Sequence, residues 1–215
     1  MVSGRTAVRT AGELALTAGL LLLLFVAWET WGKAALYQNA QNVLEQRIDA
    51  DWRRDDAPPP SIEPAVGEPI NRLHVPRLGL TLVVVEGIAL DALANGPGRY
   101  PASQLPGQVG NFAVAGHRSP GIFWNLDQLA PDDALVVETR DRWFVYRVSE
   151  QKVVLPTAID EVAPVPGDPD ATPATAMITL TTCHPKWDNY QRLVVHGTLA
   201  STSDKRAGRP AELGG

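Results

Sequence analysis

The chain contains one cysteine, Cys183, which ends the alternating run TLTTC. Pro185 follows two residues later, and proline lacks the N–H that continues a central β-ladder, so we expect the strand to stop here. The thiol would then lie at a loop mouth on a rigid strand, a common position for a catalytic group. A free cysteine is more often a small buried hydrophobic residue, and its position alone leaves both interpretations open.

A thiol becomes a nucleophile when it loses its proton, so a catalytic Cys183 needs a base or a cation nearby. The chain has four histidines. His184 is adjacent to Cys183 and, on an extended strand, points to the opposite face. His74 and His196 lie inside predicted strands, where structural roles are expected. His117 closes the run NFAVAGH and opens a loop, as Cys183 does, and this placement favours it without excluding the others.

Arg192 opens the run RLVVHGTL, after the loop that follows Cys183. An arginine at this position can direct fixed N–H donors at a developing oxyanion. An arginine without such a context is more often a solvated or ion-paired surface residue. The pattern makes Arg192 a candidate for catalysis and leaves the surface role open.

The sequence predicts neither a metal site nor a cofactor. It has no C-x-x-C or H-E-x-x-H pair of the kind that binds zinc. Four acids in the Pro-rich segment 156–174 lack the spacing of an EF-hand calcium loop, so a solvated loop is expected there. They are Asp160, Glu161, Asp168 and Asp170.

These candidates need a scaffold, and the segment 69–200 predicts one made mainly of short strands. Glycine and proline number 18 each, and many of them separate apolar runs, which favours strands and turns over a helical bundle. Many short strands with few helices predict a closed or nearly closed β-barrel. Short helices are expected at 89–94 and 123–129. The predicted strands are 70–76, 80–87, 111–117, 134–139, 143–155, 177–182 and 192–199.

An apolar segment precedes this domain. Residues 11–31 include an uncharged run from Leu14 to Trp28 and are long enough for one transmembrane anchor. Residues 1–10 carry Arg5 and Arg9 without an acid, which predicts a cytoplasmic N-terminus and an extracellular domain. A cleaved signal peptide is the rival interpretation, but the run is long for one and no clear cleavage site follows.

Residues 32–68 join the anchor to the domain. The apolar spacing of 33–54 predicts a juxtamembrane helix, and proline and acid from 55 to 69 predict a linker. The polar tail 201–215 is expected to be disordered. The formal net charge is −5 and no lysine or arginine block stands out, which argues against a nucleic-acid partner.

Three ordered motifs resemble those of the sortase family. TLTTCHPKWDNYQRLVV (179–195) resembles the sortase signature, in which an arginine follows TLxTC by about nine residues. NFAVAGHR (111–118) resembles the strand of the catalytic histidine, and RLHVPRLGL (72–80) the first barrel strand. GPGRYP (96–101) and CHPKWDNYQR (183–192) are most similar to class E sortases of high-GC Gram-positive bacteria.

The resemblance implies a mainly β fold, an eight-stranded barrel held outside the cell membrane by a single-pass anchor. It implies that Cys183 cleaves a C-terminal sorting signal, LAxTG or LPxTG in type, between threonine and glycine. His117 would act as acid and base, and Arg192 would support the oxyanion. A peptidoglycan-precursor amine would accept the acyl group, which anchors surface proteins to the cell wall. Tyr100 and Thr181 match substrate-binding positions, while Thr182 would point away.

Two other functions fit the same residues. An extracytoplasmic cysteine hydrolase would use the same set with water as acceptor, so incorporation of an added amine separates it from a transpeptidase. A membrane-tethered binding module without enzymatic activity would require Cys183 to be an inert core thiol. Labelling of the native protein with a thiol reagent tests that alternative.

Overall fold

The computed structural model describes residues 4–54 and 64–214, and these divide into two compact units at Gln38 and Asn39. The N-terminal unit is helical. It contains α1 (Gly4–Ala27), a π-helical turn (Trp28–Gly32) and the start of α2 (Lys33–Trp52). In the described ranges, α1 is the one helix whose length and apolar composition suit a membrane span. The predicted segment 11–31 overlaps α1 and the turn after it.

The second unit contains the predicted barrel, and its eight strands close on themselves. Around the barrel the order is β1-β2-β3-β4-β7-β8-β6-β5. The pairs β2–β3 and β4–β7 are parallel and the other pairs are antiparallel. The strands are β1 (Pro69–Val75), β2 (Leu80–Glu86), β3 (Gly98–Arg99), β4 (Gly110–Ala115), β5 (Ala134–Glu138), β6 (Arg142–Val154), β7 (Ala176–His184) and β8 (Gln191–Asp204).

Helical structure in the barrel unit is short apart from α2. The predicted helix at 89–94 is α3 (Leu90–Leu93), and the predicted turn at 123–129 contains the 3₁₀ segment Leu126–Gln128. The loop 156–174, predicted to lie on the surface, contains a 3₁₀ turn at Ile159–Val162. The other 3₁₀ segments are Pro76–Leu78, Lys205–Ala207 and Ala211–Leu213.

Alternation along β7 separates the core from the face that carries Cys183. Ile178 and Leu180 are fully buried on one face, and burial of each such side chain contributes roughly 1.5–3 kcal/mol. Thr179, Thr181 and Cys183 occupy the other face, because successive strand residues point to opposite sides.

The C-terminal half of α2 packs on the barrel. Leu44 and Ile48 join a buried cluster with Val83, Val85 and Ala92. Gln41 pairs with one strand residue through both ends of its amide: Val83 N–H donates to Gln41 Oε1 at 2.8 Å, and Gln41 Nε2 donates to the Val83 carbonyl at 3.2 Å. The predicted helix at 33–54 is therefore joined to the β-domain along residues 41–48.

The C-terminal segment differs from its predicted disorder. β8 continues to Asp204 by pairing with the first residues of β6, and two 3₁₀ turns follow. Leu213 packs against the buried cluster of Val136, Trp143 and Val145. Polar composition predicts disorder, but the long β6 provides a ladder for the extra strand residues. The linker prediction for 55–69 falls largely on 55–63, which lie outside the described residues.

Candidate active site

Strand register places Cys183 directly opposite Arg192. β7 and β8 are antiparallel, and their pairs include Cys183 with Arg192 and Thr181 with Val194. Opposite residues project from the same face with Cβ atoms about 4.5–5.5 Å apart. Cys183 is a free, half-buried thiol. Arg192 Nη1 donates to the carbonyls of Asn189 and Gln191, each at 2.8 Å, so its guanidinium group is oriented by the β7–β8 loop.

His117 reaches the same edge of the sheet from the neighbouring strand. β4 and β7 run parallel with Ala115 beside Thr181, and Gly116 N–H donates to the Thr181 carbonyl at 3.0 Å. His117 and Cys183 each follow this pair by two residues, so they leave the sheet at the same level. His117 is exposed. The adjacent strands therefore bring the imidazole and the thiol to one end of the barrel.

Arg118 ties the loop after β4 to the end of β7, a role that sequence reasoning missed. Its buried guanidinium donates from Nη1 to the Cys183 carbonyl at 3.4 Å and from Nε to the Trp124 carbonyl at 3.2 Å. Nη2 pairs with Asp127 Oδ1 at 3.0 Å. The sequence signal was its position next to His117, but the long-range acceptor is visible only in the folded chain. Arg118 thereby fixes the backbone on both sides of the candidate site.

Tyr100 and Thr181 also meet at this end. The Tyr100 hydroxyl lies 3.1 Å from Thr181 Oγ1. The preceding residue, Arg99, forms a buried two-point ion pair with Glu86, with Nε–Oε2 at 2.7 Å and Nη2–Oε1 at 2.9 Å. Gly98 permits the close approach, since a Cβ there would lie 1.9 Å from the Gly87 carbonyl oxygen. The GPGRYP motif therefore positions the tyrosine through backbone proximity and a buried charge pair.

A small surface cleft opens beside these residues. Tyr100, Thr181 and Arg192 line it. The end of β6 and the start of the β6–β7 loop line it as well, and there Leu155 and Ile159 expose apolar side chains. The remaining lining residues are Val154, Pro156, Ala158, Glu161, Val162 and Val194. The lining suits an extended peptide with an apolar side chain.

A family model described as the sortase domain matches residues 73–200, more than half of the chain. The chain belongs to the sortase family. The activity known for that family is cysteine transpeptidation. The fold and the family predicted from the three sequence motifs are both confirmed by this match and by the closed eight-stranded barrel.

The class E resemblance is confirmed by relatives from actinomycetes. This sortase is 31% identical over 215 residues to Sortase SrtE1 of Streptomyces coelicolor; the alignment covers 95% of this chain and 60% of the length of SrtE1. The SrtA sortase from Actinomyces oris is 37% identical, with a TM-score of 0.68, covering 75% of this chain and 96% of the other. Sortase E1 from Streptomyces coelicolor with a tripeptide in the active site is 30% identical, with a TM-score of 0.64. The match covers 68% of this chain and 97% of the other.

Two of the remaining histidines of this sortase lie in polar networks. His74 contacts Thr81 Oγ1 at 3.1 Å and Glu138 Oε2 at 3.0 Å. His196 is 1% exposed, and burial lowers its pKa below the ordinary value although Glu161 lies within hydrogen-bond distance. His184 is half-buried on the residue after Cys183. Within the described ranges, no three residues of the His, Cys, Asp and Glu types form a metal-binding cluster.

Proposed function

We propose that this sortase uses Cys183, His117 and Arg192 to cleave a C-terminal sorting signal between threonine and glycine and to transfer the acyl fragment that ends at threonine to an amine. The signal is of the LAxTG or LPxTG type. The observation that carries the proposal is strand register: the β4–β7 and β7–β8 pairings bring these three residues to one barrel end, where Arg192 also lines the cleft. Sortase E1 with a bound tripeptide supports a peptide as the ligand of this cleft.

The acylation step uses all three residues. The thiolate of Cys183 attacks the threonine carbonyl carbon of the signal, and the carbonyl electrons move onto oxygen. N–H donors of Arg192 stabilise that oxyanion, since a fixed guanidinium needs little reorganisation as charge develops. As the tetrahedral intermediate collapses, the Thr–Gly C–N bond breaks and His117 donates a proton to the departing glycine amine. A thioester between the threonine carbonyl and Cys183 remains.

The second step reverses these roles. The acceptor amine attacks the thioester carbonyl, and His117 takes the amine proton. The C–S bond then breaks, which frees the Cys183 thiolate and leaves a new amide bond. We propose that the acceptor is a peptidoglycan-precursor amine, so the product is a surface protein joined to the cell wall.

Tyr100 and Thr181 are the proposed substrate-binding residues. Their side chains meet at the cleft, and Thr181 belongs to the strand that leads to Cys183. The exposed apolar groups of Leu155 and Ile159 suit the apolar residue at the start of the signal. A bound peptide would cover them and gain about 25 cal/mol for each Å² of apolar surface removed from water.

We further propose that α1 anchors the enzyme in the cell membrane with its N-terminus in the cytoplasm. The helix has 24 residues, which at 1.5 Å per residue suits a hydrocarbon layer about 30 Å thick. Arg5 and Arg9 lie in its first turns, and basic residues favour the cytoplasmic side. The catalytic barrel then lies outside the cell, where its substrates are.

The test is a product assay with two peptides and two amines. The full chain, purified in detergent, is incubated with LAxTG and LPxTG peptides and with a triglycine or diaminopimelate amine, and the products are read by mass spectrometry. We expect an amine-linked product that is lost in Cys183→Ala. Hydrolysed peptide alone, with every amine present in excess, would contradict transfer and favour the hydrolase.

A further inference from the structure

Glu161 is the buried residue of the 3₁₀ turn Ile159–Val162, and the barrel holds it through two strands. Lys152 Nζ on β6 lies 2.8 Å from Glu161 Oε2. His196 Nε2 on β8 lies 3.0 Å from the same oxygen. The Glu161 carboxylate of the β6–β7 loop is therefore contacted by side chains from two neighbouring strands, β6 and β8.

A second tether holds the same loop two residues later. Asn111 Nδ2, on β4, donates to the Ala163 carbonyl at 3.0 Å. The Thr179 hydroxyl on β7 donates to Asn111 Oδ1 at 2.8 Å and lies 2.9 Å from His196 Nδ1. The two tethers therefore join into one buried polar network that reaches four adjacent strands.

This network lies two cross-strand rows along the sheet from the pair of Cys183 with Arg192. On the β7–β8 pair, the successive cross-strand rows are Cys183 with Arg192, Thr181 with Val194, and Thr179 with His196. These rows share a face because their members alternate by two. The second row lines the cleft, and the third contacts Glu161 of the Ile159–Val162 turn, which also lines the cleft as one of its walls. The position of that wall relative to Arg192 therefore depends on the third row.

Apolar burial does not hold this turn in place. Ile159 is 78% exposed and Val162 is half-buried, whereas the Glu161 side chain is 9% exposed. A charged group is seldom buried without a partner, because desolvation is costly. Burial alone would raise the pKa of Glu161, but Lys152 and His196 lower it below the ordinary value. The ionised carboxylate therefore serves as the anchor of the turn.

We propose that Glu161 is a positioning residue that fixes the Ile159–Val162 turn as the wall of the sorting-signal cleft. The assignment rests on the proposed function, since it concerns binding of the same peptide. Glu161 orders the wall before the peptide arrives, so the peptide does not meet the ordering cost on binding. Its loss should weaken peptide binding more than it slows chemistry at Cys183.

The test compares Glu161→Ala and Glu161→Gln with Glu150→Gln. Glu150 is the matched control: its Oε2 lies 3.6 Å from the same Lys152 Nζ, but its side chain is 57% exposed and does not line the cleft. Three quantities are measured in the full chain: KM and kcat for the sorting peptide, and the rate of hydrogen exchange at amides 159–167. Alkylation of Cys183 by iodoacetamide gives an independent readout of the thiol.

We expect Glu161→Ala to raise KM about tenfold or more with kcat within about threefold, since a hydrogen bond to a charged group contributes roughly 1.5–3 kcal/mol. Exchange at 159–167 should accelerate by a similar factor while the strands stay protected. Glu161→Gln keeps an acceptor for His196, so its KM and its exchange rate should lie between those of Glu161→Ala and wild type. Glu150→Gln should leave KM, kcat and the exchange rate unchanged. The rate of Cys183 alkylation should be the same in all variants.

Unchanged exchange at 159–167 in both Glu161 variants would overturn the positioning role. Faster exchange with unchanged KM would overturn its link to the peptide. If Glu161→Ala fails to fold, Glu161→Gln and Lys152→Met carry the same comparison. Absence of turnover in the wild-type enzyme would count against the proposed function, whereas the exchange data would still decide whether Glu161 holds the turn.

Discussion

Arg192 is held by hydrogen bonds to loop carbonyls and is still proposed to stabilise an oxyanion. Its Nη1 donates to the carbonyls of Asn189 and Gln191, and these bonds fix the guanidinium group of the residue that pairs with Cys183. Lysine carries the charge but has one nitrogen, so it cannot bind the loop carbonyls and face an oxyanion with the same geometry.

Arg192→Lys should therefore lose about 10²-fold or more in kcat/KM for the sorting peptide, the range seen when an oxyanion donor is removed. The control is Arg142→Lys, at an exposed position on β6. Steady-state kinetics of the purified enzymes decide the outcome. A loss of less than threefold in Arg192→Lys would show that charge alone is sufficient.

His117 and His196 differ in burial, and this difference predicts opposite effects. His117 is exposed and His196 is 1% exposed. His117→Ala should abolish turnover with little change in the free energy of unfolding. His196→Ala should destabilise the fold by roughly 1–3 kcal/mol, because it removes the buried contacts of His196 with Glu161 and Thr179. Denaturant unfolding and product assays on both variants check this. Loss of turnover in His196→Ala without loss of stability would reverse the assignment.

At the residue scale, the sequence indicated Cys183, His117 and Arg192 because each adjoins the end of a recognisable strand. Arg118 and Glu161 could not be chosen in the same way. Both appear as ordinary charged loop residues, and their roles depend on hydrogen-bond partners 65 and 35 residues away. A charged residue becomes informative when its burial and its partner are known, and sequence periodicity reports neither.

Among the secondary-structure elements, α2 is joined to the barrel by both apolar and polar contacts. The spacing of its apolar residues predicted a helix, since Leu44 and Ile48 are four residues apart. The spacing did not predict that the helix packs on the barrel. Gln41 adds hydrogen bonds to the β2 backbone, and the Arg72 guanidinium bonds Glu45 and Asp49. Residues 39–52 thus belong to the folded unit of the enzyme.

Ile48→Ala should destabilise the barrel unit by about 2–5 kcal/mol, the usual cost of deleting a fully buried aliphatic side chain. Ile48 is 1% exposed, whereas Val43 on the same helix is 57% exposed, so Val43→Ala is the matched control. Urea unfolding followed by tryptophan fluorescence measures both variants. Equal midpoints for Ile48→Ala and wild type would mean that α2 does not contribute to barrel stability.

For the whole molecule, Glu138 connects segments that are distant in sequence. Its carboxylate lies 3.5 Å from Arg72 Nη1 on β1, 3.0 Å from His74 Nε2 and 2.6 Å from Lys205 Nζ in the C-terminal segment. Burial alone would raise the pKa of Glu138, but the hydrogen bonds from His74 and Lys205 and the charges of Lys205 and Arg72 lower it to about 2. The segment after residue 200 was predicted to be disordered from its polar composition. The sequence does not show that Glu138 accepts a bond from Lys205 in this segment.

The lowered pKa of Glu138 predicts a defined acid transition. Its folded pKa of about 2 lies below the ordinary 4.5. Its stabilisation is therefore complete above pH 4.5 and is lost as pH falls toward 2, by an amount on the order of 3 kcal/mol. Glu138→Gln should be less stable than wild type at pH 7, and the difference should shrink on acidification. Urea unfolding from pH 7 to pH 2.5 tests this, and a constant difference would contradict it.

The barrel itself followed from the sequence because alternating runs and turn residues mark short strands locally. The number of strands, eight, came from the family resemblance. Their order around the barrel was not predicted, because register between distant strands leaves no local signal. The candidate membrane helix was predictable from composition, which needs no long-range information.

Membrane orientation can be tested with the cysteine that the chain already has. Cys183 is the single cysteine in the sequence, so any thiol label reports the barrel alone. A membrane-impermeant maleimide added to intact cells should label Cys183 if the barrel lies outside. Labelling that requires lysis would place the barrel in the cytoplasm and contradict the proposed topology. Thr182→Cys in a Cys183→Ser background, on the buried neighbour, is the control for accessibility.

If Cys183 is the nucleophile, it forms a thioester with the sorting signal, and intact-protein mass spectrometry detects that thioester. The enzyme is mixed with a sorting peptide without any amine acceptor and quenched in acid. We predict a mass increase equal to the acyl fragment that ends at threonine, mapped to Cys183 and removed by hydroxylamine. Arg192→Lys should slow its appearance, and Cys183→Ala should prevent it. Continued peptide cleavage by Cys183→Ala would contradict the account.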